Sequence, residues 1–414
     1  MRGTPYRVTG SVLLAGAVAW MMACGLDVLG SGEDLPDATD DRPLAPDDAG
    51  AVSPETAPPR TTCNSPSLQA GAPWPMIGGC VGHQGRTVFR GPHTKPVETW
   101  EADLGNSYRP MPIVGADDMI YVPADIDGVR VYAPDGAARQ LATPGKNVTN
   151  VPAIGANGTL YFGASHDAVA LFTDGGRRSY DMGEEIDSSP VLDALGNSYF
   201  VSMADRVVSF DPAGTRRWEH DTGGDVNSSI AIGPSGDLYV GVRNNGLVAF
   251  RATDGGRLWR FDTGGDTQSS PVVADDGTIY IGTLERKLHA LSPTGALSWT
   301  YPLPGPVEFQ VLPALAADGT IYVPNGTKVV ALTPAGKLKW TFEAGGAIRT
   351  SAVVDTDGVI YFAGDNERGF AITPDGKELW RVDVGDPPWG LAIGRDGSIY
   401  YACQGDPRIH AFHE

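Results

Sequence analysis

A tyrosine returns about every 40 residues along most of this chain, and that period limits the possible folds more than any other feature. The series is Tyr121, Tyr161, Tyr199, Tyr239, Tyr280, Tyr322, Tyr361 and Tyr400, with spacings between 38 and 42 residues. Residues 269–299 show the unit around one of them. Residues 271–274 read as a strand, Asp276-Gly277 as a hairpin turn whose glycine accepts a positive φ, and residues 278–282 (TIYIG) as a second strand. Lys287–Leu291 is a third strand, Pro293-Thr294-Gly295 a second turn, and residues 297–300 (LSWT) a fourth strand. The runs are rich in Val, Ile, Tyr and Trp and too short for helices. TIYIG is apolar on both faces, so each small sheet expects a neighbour on both sides. Eight such units predict an all-β chain, an eight-bladed β-propeller of four-stranded antiparallel blades.

The aromatic of the fourth strand repeats with the same period at Trp100, Tyr180, Trp218, Trp259, Trp299, Trp340 and Trp380, with one degenerate slot near Gln140. The turn before that strand carries only seven glycines: Gly136, Gly175, Gly214, Gly255, Gly295, Gly336 and Gly376. After residues 409–412 (IHAF), a third strand, no further strand follows, whereas residues 97–102 (VETWEA, with Trp100) supply an extra fourth strand at the other end. The N-terminal strand is therefore expected to complete the last blade and close the ring, which removes exposed edges between the first and last blades.

The recurring D-G-T-I-Y-x-G, the A-L-x-P-x-G and the Trp after it resemble the PQQ-like (quinoprotein alcohol dehydrogenase-like) β-propeller repeat family. The lead-in Trp74-Pro75-Met76, His83 and Gly85-Arg86-Thr87 is similar to that of such proteins, and the resemblance covers residues 72–414. It implies architecture strongly and chemistry weakly. The family holds quinone-dependent alcohol dehydrogenases and also non-enzymatic lipoproteins that act as assembly scaffolds. Dehydrogenases of the alcohol type stack the quinone between a Trp and a disulfide of adjacent cysteines and hold Ca²⁺ with a Glu, Asn and Asp set. This sequence has no Cys-Cys pair. The expectation is thus no cofactor and no enzyme activity, with PQQ and Ca²⁺ as the lesser alternative.

Residues 1–23 read as an export signal, with Arg2 and Arg7 ahead of an apolar run too short for a convincing membrane span. Met21-Met22-Ala23-Cys24-Gly25 resembles a bacterial lipobox, which makes Cys24 the expected lipidation site. Residues 24–60 read as a lipidated cysteine followed by a disordered tether. Residues 25–60 hold nine acids against Arg42 and Arg60, a net charge of −7, with six prolines and few large apolar groups. Such a segment argues against nucleic acid and against adhesion to anionic lipid, so the membrane is met through the lipid anchor only. Residues 61–96 are the lead-in, read as a segment without much core, and residues 97–414 the propeller. Cys63 and Cys80 flank the lead-in and are the favoured disulfide; Cys403 reads as a small buried thiol, with a Cys80–Cys403 pairing as the competitor. No Cys/His cluster has metal spacing.

The seven histidines are scattered, and none lies in a hydrolase or zinc-protease motif. Asp-Gly pairs such as Asp318-Gly319 and Asp357-Gly358 read as hairpin turns rather than calcium loops. One constellation remains. Each loop from a fourth strand to the next first strand should reach one end of the central channel. Three residues before the Pro of S-S-P, the position reads Arg109, Thr149, Asp187, Asn227, Gln268, Gln310, Arg349 and Pro388, polar in seven of eight blades. Tyr108 lies beside Arg109, and blade 8 contributes Trp389 between Arg109 of blade 1 and Arg349 of blade 7. Two guanidiniums around a Trp suit an anionic or aromatic group, or an acidic loop of a protein partner. The expected function is a membrane-anchored, monomeric protein-binding scaffold of the bacterial cell envelope. The resemblance extends to the propeller lipoproteins of outer-membrane β-barrel assembly, whose partner is a barrel insertase. The alternative is a surface-displayed interaction or adhesion propeller.

Overall fold

The computed structural model describes residues 67–414 apart from 106, 108, 125–127, 140–145, 204, 308–310 and 405–406. Eight four-stranded antiparallel sheets follow one another along the chain. Blade 5 comprises Val272–Val273, Ile279–Gly282, Lys287–Leu291 and Leu297–Pro302, ordered from the channel outwards. Its inner strand is shorter and its outer strand longer than the sequence pattern predicts. The closure is as expected. Val97–Asp103 pairs antiparallel with Arg408–His413, outside Ile399–Cys403 and Pro388–Ile393, and completes blade 8. Among the described residues the one helical element is a 3-10 turn at Ile77–Gly79, and no helix is long and apolar enough to cross a membrane.

The doubly apolar second strands form the core. Ile279–Gly282 is buried throughout, and the repeat tyrosines Tyr199, Tyr239, Tyr322, Tyr361 and Tyr400 are among the largest fully buried side chains. Each stacks near the outer-strand Trp of its own blade, as in Tyr239–Trp259 with ring centroids 5.7 Å apart. That Trp then reaches the next blade. Trp299 Nε1 donates to Pro334 O at 2.9 Å, Trp259 to Pro293 O at 3.0 Å and Trp340 to Pro374 O at 2.9 Å. The ring lies over the turn glycine: a Cβ on Gly336 would stand 2.6 Å from Trp299 Cδ2. The spacing of Trp and P-x-G is therefore a blade-to-blade joint. Blade 8 has no such turn of its own, and Trp380 of blade 7 donates instead to Pro92 O of the lead-in at 2.8 Å.

The S-S-P signature is a second joint. Its first hydroxyl lengthens the short inner strand: Ser269 Oγ donates to Gly282 O at 2.9 Å and accepts from Gly282 N at 3.0 Å, and Ser228 does the same with Gly241. The second hydroxyl accepts from the preceding blade. Val151 N donates to Ser189 Oγ, Ser189 N to Ser229 Oγ, and Ser229 N to Ser270 Oγ, at 3.0, 2.9 and 2.8 Å. Buried backbone donors that the two-residue inner strands leave unpaired are thus satisfied across blade boundaries.

The lead-in corrects one expectation. It is core, not a loosely packed approach: Trp74 is 4% exposed and Met76 0%. Its backbone bonds the last residue of inner strands around the ring: Trp74 with Val114, Pro75 with Ile154, Val81 with Ile232, Gly82 with Val273, Gln84 with Leu315 and Gly85 with Val354. Ser67 Oγ adds Leu192 O at 2.8 Å, so seven blades are touched. A Cβ on Gly85 would stand 2.8 Å from Ala314 Cβ and from Ala352 O, which explains the glycine. His83 sits at this level, fully buried, its Nδ1 3.1 Å from Pro271 O. Burial holds its pKa down to about 4.

Candidate functional site

The polar ring precedes each inner strand, whereas the lead-in bonds the last residue of those strands. The two therefore occupy opposite ends of the channel: one end is plugged, and the ring marks the other. Arg109, Thr149, Asp187, Asn227, Gln268, Arg349 and Trp389 are all half-buried, as residues at a wet mouth should be. Tyr108 and Gln310 lie outside the described residues.

The structure joins several ring members. Thr149 Oγ1 donates to Asp187 Oδ1 at 3.0 Å, from blade 2 to blade 3. Gln268 Nε2 donates to Asp266 Oδ2 at 2.9 Å, and Arg243 Nε stands 3.6 Å from the same oxygen. Asn227 Oδ1 is buried without a hydrogen-bond partner among the described residues. Arg349 pairs with Asp365 at 3.7 Å, in the turn between the second and third strands of its own blade.

Of the two guanidiniums expected around Trp389, Arg109 lies over it, its guanidinium carbon 5.7 Å from the indole centroid. Arg109 also has φ +58°, a conformation that costs a non-glycine residue about 1–2 kcal/mol. Such strain is concentrated at binding and switch sites, where surrounding contacts enforce it.

Sequence reading missed Arg243, Asp266, Asp365 and the acids Asp205, Asp221 and Asp225 on the same end. Asp205 has its pKa raised by desolvation and then by Asp221 and Asp225, which makes this sector acidic. Arg243, Asp205 and Asp365 sit in turns between second and third strands, where residues vary from blade to blade. Asp221 stands at the end of its outer strand as Asp262 and Asp383 do, and Asp225 and Asp266 share one loop position, a recurrence the sequence does show. The arrangement offers hydrogen bonds of both kinds, a cation–π pair and a mixed-charge rim, which suit recognition of a polar surface.

Cys80 is disulfide-bonded. Cys403 is a thiol rather than its partner, buried with Sγ 3.4 Å from Asp386 O. The expected partner Cys63 and the lipidation candidate Cys24 lie outside the described residues, as do the export signal and the tether.

Geometry defines the class, an eight-bladed propeller closed by its N-terminal strand. Solved structures with this fold include a quinohemoprotein alcohol dehydrogenase from Comamonas testosteroni, with a TM-score of 0.71, 13% identity and coverage of 84% of this chain and 81% of that one. BamB from Moraxella catarrhalis has a TM-score of 0.63 at 16% identity, covering 78% and 98%. A europium-containing methanol dehydrogenase has a TM-score of 0.66 at 13% identity, covering 83% and 98%. At these identities the likeness is one of fold. No curated protein matches the chain in sequence. The family model described as outer membrane protein assembly factor BamB matches residues 203–373 and 308–412, and the chain belongs to this PQQ-like propeller family.

Proposed function

We propose that this protein is a non-enzymatic protein-binding scaffold of the bacterial cell envelope, anchored by lipid at Cys24, that serves outer-membrane protein assembly. The observation that carries the reading is the family match over the second half of the chain, from blade 3 to blade 8. The structure adds support. A ring stitched by Trp and Ser joints and plugged at one end is a rigid platform, and its open end presents a mixed-charge rim.

The residues present do not fit a quinone cradle of the alcohol-dehydrogenase type. The sequence has no adjacent cysteines, Cys403 is buried against the Val384 and Asp386 carbonyls, and Arg109 stacks on Trp389, the indole at the mouth.

The test is co-isolation from crosslinked, solubilised envelopes, with calorimetric titration of the same protein by PQQ and Ca²⁺. Recovery of a β-barrel insertase without quinone binding supports the scaffold. Tight quinone binding with dye-linked alcohol oxidation overturns it, and labelling on intact cells without insertase moves the role to surface display.

A further inference from the structure

Blade 8 is assembled from strands more than 300 residues apart, and among the blades with an outer Trp it alone places two acids around that residue, where blade 4 has Arg257 and Arg260. In every blade with an outer Trp, a bulge falls just before that residue; in the closing strand it lies between Glu98 and Trp100. The bulge turns the residues two before and one after the Trp to the same face, although three positions apart in a regular strand are on opposite faces. Blade 3 fills the two places with Arg216 and Glu219, paired at 2.6 Å. Blade 7 fills them with Glu378 and Arg381, paired at 2.5 Å. Blade 8 has two like charges instead, Glu98 and Glu101.

His410 lies across from Glu101 on the C-terminal strand, its side chain only 5% exposed. Its Nδ1 is 2.8 Å from Glu98 Oε1 and 3.8 Å from Glu101 Oε2, and the three ligand atoms lie within 4.8 Å of one another. Arg408 holds the other oxygen of Glu101. The far nitrogen, Nε2, is buried with no hydrogen-bond partner among the described residues, so the ring's polar contact is made through Nδ1, into the carboxylate pair.

We propose that Glu98, Glu101 and His410 form a transition-metal site, with Zn²⁺ as its type ion, that fastens the closing strand Val97–Asp103 to the C-terminal strand Arg408–His413. One imidazole nitrogen and two carboxylate oxygens are a zinc-type donor set, whereas Ca²⁺ and Mg²⁺ favour cages of oxygen alone. Bonds of about 2.0 Å in a tetrahedral site place ligand atoms roughly 3.3 Å apart. That spacing falls between the 2.8 and 3.8 Å from Nδ1 to the two carboxylates, which are themselves within 4.8 Å of each other. Closing the site therefore takes side-chain movements of about 1–2 Å, the rotation of exposed carboxylates. The carboxylates are 42% and 49% exposed, which leaves the fourth position to water. With the ion on Nδ1 the ring carries its proton on Nε2, where it lacks an acceptor; the site is accordingly weaker than one with a supported histidine. Because the ligands come from the first and last strands of the propeller, the ion binds only the closed state and stabilises it by mass action.

The test titrates the purified, chelator-stripped protein with Zn²⁺, and with Co²⁺ followed by visible absorption, alongside amide exchange of residues 97–103. The comparison is the Glu98→Gln/Glu101→Gln double variant, whose replaced side chains are exposed and whose fold is checked by an unchanged melting temperature in chelator. The expected result is one ion per chain, at least a tenfold weaker affinity in the variant, and metal-slowed exchange in the wild type only. Absence of binding at about 1 mM Zn²⁺, or an affinity difference below tenfold, overturns the proposal.

Discussion

Gly336 and Gly175 occupy the same turn in blades 6 and 2 and share a left-handed backbone, with φ +73° and +84°. They differ in what lies above them. A Cβ on Gly336 would stand 2.6, 2.9 and 3.0 Å from three atoms of the Trp299 indole, whereas one on Gly175 meets no described atom within 4 Å. The reason is upstream: the described outer strand of blade 1 is Ala138–Arg139, and residues 137–148 hold no Trp to offer blade 2. Gly→Ala at either site incurs the left-handed penalty of about 1–2 kcal/mol. At Gly336 the methyl must also displace a ring held by its hydrogen bond to Pro334 O, an overpacking cost of about 1–3 kcal/mol. Gly336→Ala is therefore expected to destabilise by roughly 2–5 kcal/mol and Gly175→Ala by the backbone part alone, read from urea unfolding of each variant. Equal losses at the two sites would refute the Trp joint as a source of ring stability.

Three further outcomes follow from the same structure. His83 titrates near 4 when folded and near 6.5 when unfolded, so its contribution is present above pH 6.5 and lost as pH falls through 4. Urea unfolding at pH 7 and pH 4.5 should show the wild type losing roughly 2–3 kcal/mol more than His83→Asn; equal losses would mean that the ring is not buried as described. Ser270→Ala leaves the buried Ser229 amide without its 2.8 Å acceptor and should cost about 1–3 kcal/mol, against under about 0.5 kcal/mol for Ser235→Ala on the surface, measured by chemical denaturation. Trp380→Phe removes the bond to Pro92 O, which ties the lead-in to blade 7, and should speed amide exchange around His93 and Thr94 while leaving blade 4 unchanged.

The propeller was legible because one constraint repeats. Each blade needs the same turns and the same doubly buried second strand, so Tyr, Asp-Gly and P-x-G recur in register, and even the closing strand is marked by Trp100. The S-S-P signature was visible too, but its hydroxyls bond backbone of the neighbouring blade, a partner about 40 residues away that local propensity does not reveal. The lead-in was misread because it borrows its core: Trp74 and Met76 are buried by inner strands of several blades rather than by neighbours in sequence. The channel ring is visible when the blades are set in register, and so is Asp266, which recurs as Asp225 in the preceding blade; Arg243 and Asp365 are not, since they occupy turns that the repeat leaves unconstrained. Glu98, Glu101 and His410 meet only through a bulge and a ring closure, and linear spacing shows neither.

In the proposed scaffold, the open end of the channel, and not the plugged one, receives a protein of the outer-membrane assembly machinery. A photo-crosslinking residue placed at Asn227 on the mouth, and in a separate strain at Asp276 in a turn on the plugged side, tests it in living cells. The expected result is an adduct with a β-barrel assembly protein from position 227 and none from position 276. Adducts of equal yield from both positions, or none from position 227, would contradict it.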